Sequence, residues 1–196
     1  MRRLTPADYR SMPWRNGGGT TTEILVAPEG ASLSGERSAE RFLYRVSIAN
    51  VATDGPFSRF PGYDRHIMLL AGAGMTLDAG AHGRIDLEAF EPRTFSGDWD
   101  VTGVLLDGAV RDFNLMVDRH RATSALVVER LEAPRSYACE PGSVCILHVI
   151  EGGLASADEG DTLVARAPFE VAPAGSSGTA RIAVARIAPL HEGGLG

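Results

Sequence analysis

Short apolar runs, broken by glycine and proline, recur along this chain, and their order repeats after about 80 residues. Shifted by 80, Pro61-Gly62 falls on Pro141-Gly142, Phe57 on Tyr137, Gly72 on Gly152 and Asp78 on Asp158. Leu69-Leu70 meets Val149-Ile150, and Val46 and Ile48 meet Leu126 and Val128. Each half reads as strand, Pro-Gly turn, strand, tight glycine turn, strand, so two similar antiparallel β units are expected. No linker composition separates them, which predicts one continuous core. The segment Asp107–Asp118 joins the halves and is rich enough in apolar residues to be a paired strand rather than a tether.

The local signals agree. Phe42, Tyr44, Val46 and Ile48 alternate with Leu43, Arg45, Ser47 and Ala49, the period of a strand. Further strands are predicted at Thr21–Ala27, His66–Leu70, Val101–Leu106, Phe113–Val117, Leu126–Leu131, Val144–Ile150, Leu163–Arg166 and Ile182–Ile187. Thr5-Pro6 reads as a cap followed by proline at the first helical position. A short N-terminal helix stopped by Pro13 is therefore expected.

Charge narrows the chemistry. The formal net charge is −6, a poor starting point for nucleic-acid binding. The 19 basic residues are all arginine. Without lysine there is no Schiff base, no amine nucleophile and no P-loop, so an anion must be held by Arg, His or backbone N–H groups. Two cysteines, Cys139 and Cys145, do not make a disulfide framework and are expected to be buried free thiols. Neither a secretory signal nor a membrane-spanning run is visible, and a cytoplasmic protein is expected.

Three segments can carry chemistry. Trp14-Arg15-Asn16-Gly17-Gly18-Gly19 leads into a β-like Thr-Thr-Thr-Glu-Ile stretch, so it is not a dinucleotide loop. It is either a glycine turn into a strand or the mouth of a pocket. In the second case Trp14 would stack on a planar ligand, Arg15 would clamp a carboxylate and Asn16 would hydrogen-bond. In Tyr63–Leu70, His66 shares a strand face with Met68 and Leu70, and Arg65 shares the other with Ile67 and Leu69. In Asp112-Phe113-Asn114-Leu115-Met116 the two polar residues share a face with Met116. Glu23, Asp64 and Asp112 are candidate acids or bases, but nothing fixes their distances. Metal signals are weak. Cys145 and His148 fall on opposite strand faces, and His191-Glu192 lacks the second histidine of a zinc protease helix. No metal site and no cofactor are expected.

The Trp14–Thr20 segment with Glu23-Ile24, then Arg65–Gly72, Phe95-Ser96-Gly97-Asp98, and Asp112–Met116 with Arg119, resembles the HutD/Ves family. The resemblance runs through most of the first 120 residues. It implies an all-β, RmlC-like bicupin: two antiparallel barrel or jelly-roll halves, residues 14–110 and 111–190, in one unit spanning 1–196. It also implies a protein that moderates histidine utilisation by sensing or sequestering an acidic intermediate such as urocanate or formylglutamate. The His-x-His metal set of many cupins is missing, since the equivalent strand offers His66 alone.

The expected role is a binding protein, not an enzyme. Its ligand site would draw on Trp14, Arg15, Asn16, Glu23, Arg65, His66, Asp112 and Asn114. Its partners would be a small anion and either a second copy or another protein, with neither nucleic acid nor membrane. The alternative is a metal-independent isomerase or hydrolase using His66 with a nearby carboxylate. Cys145 and Ile146 stand where Arg65 and His66 would recur, so only the first half is predicted to carry a polar site.

Overall fold

The computed structural model describes residues 1–28, 41–175 and 178–190, and His191-Glu192 lies outside them. The described chain is all-β. Its strands are β1 (Arg2–Leu4), β2 (Arg10–Pro13), β3 (Gly19–Ala27), β4 (Tyr44–Val51), β5 (Gly55–Pro56) and β6 (Tyr63–Ala71). There follow β7 (Met75–Asp78), β8 (Arg84–Leu87), β9 (Arg93–Ser96), β10 (Thr102–Leu105) and β11 (Val110–Asp118). The rest are β12 (Ala122–Leu131), β13 (Arg135–Tyr137), β14 (Val144–Gly152), β15 (Thr162–Ala165), β16 (Phe169–Val171) and β17 (Ala180–Pro189).

They form a six-stranded sheet in the order β2-β3-β4-β11-β6-β9 and a five-stranded sheet in the order β1-β15-β14-β17-β12. A four-stranded sheet, β5-β10-β7-β8, accompanies the first, and the pair β13-β16 accompanies the second. The sheets are open rather than closed barrels. The interior of the first part is enclosed by side chains of stacked sheets, with Ile67 and Leu69 packed against Met75, Leu77 and Leu87.

Between the two large sheets lies a second core. Tyr44, Val46, Ile48, Met68, Leu70, Phe113, Leu115 and Val117 pack in one cluster with Leu126, Val144, Ile146, Ala183, Ala185 and Ile187. The central strands are thus buried on both faces. Along β11, Phe113, Leu115 and Val117 enter the core between the sheets, while Asp112, Asn114 and Met116 turn inward to the first part's own interior. β11 belongs to the six-stranded sheet, where it pairs with β4 and β6, and β1 pairs with β15 in the five-stranded sheet.

The N-terminal α-helix does not form. Pro6–Asp8 is one 3-10 turn, with the Asp8 carboxylate accepting from the Thr5 N–H at 2.8 Å and the Thr5 hydroxyl at 2.9 Å. Tertiary partners then claim the chain. The Tyr9 hydroxyl donates to Gly160 O at 2.8 Å, β1 pairs with β15, and Arg10–Pro13 pairs with Thr20–Glu23. Helix propensity over eight residues is too small to compete with two strand pairings. Pro13 ends an edge strand, where its missing N–H costs nothing.

Both cysteines are free and buried. Among the described residues no helix is long and apolar enough to cross a membrane.

Leu115 is fully buried in the core between the sheets, whereas Val127 is exposed on the edge strand β12. Leu115→Ala is expected to lower stability by about 2–5 kcal/mol in urea unfolding. Val127→Ala should stay within about 0.5 kcal/mol of the parent.

Candidate functional site

The inward face of the six-stranded sheet is polar where its outward face is greasy. Register places three rows on it. Met116 lies between Arg45 and Arg65, Asn114 between Ser47 and Ile67, and Asp112 between Ala49 and Leu69. These rows floor a cavity of about 630 Å³. Phe57, Ser58 and Phe60 wall one side, and Trp14, Arg15 and Asn16 wall another.

The glycine run delivers the second wall. Gly17 sits at φ +71° in the turn between β2 and β3, and the Trp14 N–H donates to Gly19 O at 2.9 Å. A Cβ on Gly19 would lie 2.3 Å from Asn50 O, so the hairpin can approach β4 only without a side chain there. The Trp14 indole N–H donates to Thr21 Oγ1 at 2.7 Å, and the Asn16 side-chain oxygen accepts from the Gly18 N–H at 3.1 Å. The segment is both a glycine turn and a cavity wall.

A hydrogen-bonded clamp positions the aromatic wall. Asp98 accepts from the Gly62 N–H at 2.8 Å, from the Ser96 hydroxyl at 2.7 Å and from Arg119 at 2.6 Å. These bonds, Ser96 first, hold its carboxyl down at about 2. A Cβ on Gly97 would lie 2.3 Å from Phe60 O. The Phe95-Ser96-Gly97-Asp98 and Arg119 elements therefore secure the 57–62 loop and do not themselves line the cavity.

Arg65 is 4% exposed. Its guanidinium donates to Ser58 O at 3.1 Å and lies 4.8 Å from the Phe95 ring centroid, with Phe57 at 5.4 Å and Phe60 at 5.6 Å. Its Nε has no hydrogen-bond partner among the described residues. Arg45, the other arginine of the floor, is paired: its Nε donates to Glu23 Oε2 at 2.8 Å. Asp112 is 1% exposed, and neither carboxylate oxygen has a hydrogen-bond partner among the described residues; nor does Asn114 Oδ1. Burial pushes the Asp112 carboxyl up to about 7, against the pull of Arg65. Burial draws Arg65 down to about 10, which leaves it cationic at neutral pH. Buried polar atoms without partners are rare in native structures, and Arg65 Nε, both Asp112 oxygens and Asn114 Oδ1 all belong to residues lining this cavity.

Six of the eight candidates from the sequence line this cavity: Trp14, Arg15, Asn16, Arg65, Asp112 and Asn114. Two do not. Glu23 lines a separate groove near Tyr44 and Arg166 and reaches the cavity only through its ion pair with Arg45. His66 occupies the outward face of β6, opposite Arg65. There its Nε2 lies 2.8 Å from Ser124 Oγ of β12 and its Nδ1 2.9 Å from Thr94 Oγ1. Burial lowers its pKa, with Asp64 opposing. It is a hydrogen-bonded strut between the sheets and does not face Asp112. Arg45, Ser47, Phe57 and Phe60 were missed. Arg45 and Ser47 carried the same signal as Asp112 and Asn114, polar residues alternating with Tyr44, Val46 and Ile48. Among the described residues no group of three His, Cys, Asp or Glu side chains could hold a metal ion.

The family model HutD matches residues 6–178. The chain belongs to the HutD family. An uncharacterized 21.2 kDa protein in the hutC 3' region of Pseudomonas putida is 43% identical over 121 residues, 61% of this chain and 60% of that protein. The match thus spans three fifths of that relative's length. Protein Ves of Cronobacter sakazakii is 35% identical over 149 residues, 74% of this chain and 75% of that protein. Among solved structures, PA5104 of Pseudomonas aeruginosa PAO1, a conserved protein of unknown function, superposes with a TM-score of 0.81 at 32% identity. The match covers 95% of this chain and 98% of that one. HutD from Pseudomonas fluorescens SBW25, in a formate condition, gives 0.75 at 26% identity, covering 96% and 98%. An oxalate decarboxylase from Lactobacillus farciminis, 10% identical with a TM-score of 0.65, extends the likeness to the cupin-like fold alone.

The raised Asp112 gives a stability test with a definite sign. Its folded pKa lies above the ordinary carboxylate value, so the folded state holds the proton more tightly, and Asp112 costs stability as pH rises from about 4 to 7. Asp112→Asn should therefore unfold like the parent near pH 4. Above pH 7 it should be more stable, by about 1–3 kcal/mol, in thermal or urea melts of the ligand-free protein.

Proposed function

We propose that this protein is a small-molecule-binding member of the HutD family, organised as a bicupin over residues 1–196, whose first half holds the ligand. It moderates histidine utilisation by sensing or sequestering an acidic intermediate such as urocanate or formylglutamate. The observation that carries this reading is Arg65: a buried guanidinium in a cavity, with Nε unpartnered and aromatic rings around it. A buried arginine gains most when a carboxylate supplies the missing bonds, because charge-assisted hydrogen bonds strengthen away from water. Phe57 offers a flat face beside it, and Trp14 lines the same cavity. The naming of one relative for the hutC 3' region, and of a solved relative as HutD, supports the metabolic context. The net charge of −6 favours action through the ligand or a protein partner over contact with DNA.

The enzymatic alternative rests on His66, and the geometry does not favour it. His66 and the cavity carboxylate of Asp112 lie on opposite faces of the sheet, and the imidazole is bonded to Ser124 and Thr94.

Calorimetric titration with urocanate, formylglutamate, histidine and glutamate is the test. At least one of the two acidic intermediates should bind with a Kd of about 1 mM or tighter. Arg65→Gln should weaken that binding at least tenfold, while His66→Gln should change it less than threefold. No heat of binding from either intermediate at millimolar concentration would overturn the proposal.

A further inference from the structure

Along β11 the cavity floor is ordered by charge. Met116, flanked by Arg45 and Arg65, marks a basic end. Asn114 and then Asp112 follow at two-residue steps, about 7 Å each along the strand. Arg45 is paired with Glu23 through its Nε, Arg15 lies in the wall, and Arg65 is the floor arginine whose buried Nε lacks a hydrogen-bond partner among the described residues. At the other end both oxygens of Asp112 and the oxygen of Asn114 are buried without a hydrogen-bond partner among the described residues. The neighbouring floor positions, Ala49, Ser47, Ile67 and Leu69, provide no cation. An anion alone would satisfy Arg65 and leave these acceptors stranded.

We infer that Asp112, assisted by Asn114, makes the cavity selective for anions that also carry an N–H donor, such as an imidazole, amide or amine, over isosteric anions without one. The inference rests on the anion-binding reading above and names a requirement that reading does not contain. Asn114 can turn either its oxygen or its NH2 to the cavity by an amide flip. An ionised Asp112 accepts on both oxygens, and so decides the sign. A ligand N–H directed at Asp112 supplies a charge-assisted hydrogen bond to a group that burial otherwise holds near its neutral form. A site whose buried acceptors need a donor rejects the donor-free analogue strongly, because the acceptors are then buried and unpaired.

Matched pairs test this in the full-length protein by calorimetry. Urocanate is compared with 3-(3-furyl)acrylate, which keeps the acrylate and a five-membered ring but has no N–H. N-Formylglutamate is compared with its ester isostere, 2-formyloxyglutarate. The member with the N–H is expected to bind at least tenfold more tightly in whichever pair binds. In Asp112→Asn, a near-isosteric change whose folding is checked by its melting curve, that preference should shrink to threefold or less. A purely structural Asp112 would weaken both members together and leave their ratio intact, which would overturn the inference. Equal binding of the two members by the parent protein would also overturn it, as expected if a protonated Asp112 donates to the anion, and would leave the anion-binding reading standing. Failure of both N–H compounds to bind at millimolar concentration would remove the anion-binding reading itself, and the donor requirement with it.

Discussion

The structure depends on one strand being buried on both sides. β11 lies between β4 and β6 in the six-stranded sheet, and its period-two alternation serves two interiors at once. Phe113, Leu115 and Val117 bind the two large sheets together. Asp112, Asn114 and Met116 are sequestered in the first part's interior. A one-residue slip in register would exchange the two sets, putting a carboxyl among the leucines and a phenylalanine on the cavity floor. The packing that holds the molecule together is therefore the same packing that holds Asp112 away from water and keeps Arg65 in the same interior.

The five-stranded sheet shows what that arrangement looks like without a polar site. Arg65 on β6 corresponds by the 80-residue shift to Cys145 on β14. Cys145 pairs across to Arg186, Leu147 to Val184 and Val149 to Ile182, so Val184 and Ile182 stand where Asn114 and Asp112 stand in the first sheet. Those positions join Leu131, Tyr137 and Leu163 in an apolar cluster. The matched register positions thus carry hydrocarbon in one sheet and polar groups in the other. Burying charge without partners is costly, and the first sheet bears that cost only where a cavity adjoins it.

Much of this was legible in the sequence because alternation and turn chemistry are local. Every predicted strand appears with its ends shifted by a few residues, and the faces assigned to Arg65, His66, Asp112 and Asn114 follow from parity. What parity could not supply was which face met which interior. His66 and Arg65 are both buried, one against the β12 strand and the other in the cavity, and only strand order separates them. Glu23 stands in register with Ser47, yet its carboxylate is taken up by Arg45 and it lines the groove beside Tyr44 instead. Thr5-Pro6 gave a sound local helix start, but strand pairing across the molecule outweighed it. Arg45 escaped notice because its partner, Glu23, is distant in sequence. The 95–98 and 119 elements, which carry part of the family resemblance, hold the loop that carries Phe57 and Phe60.

The most direct test of this account is a crystal structure of the protein grown with saturating urocanate. The carboxylate should lie against Arg65 beneath Trp14 or Phe57, with a ring nitrogen within about 3.2 Å of an Asp112 oxygen. Ordered urocanate against His66 or in the groove beside Tyr44 and Arg166, with the cavity empty or Arg65 closed directly onto Asp112, would contradict it.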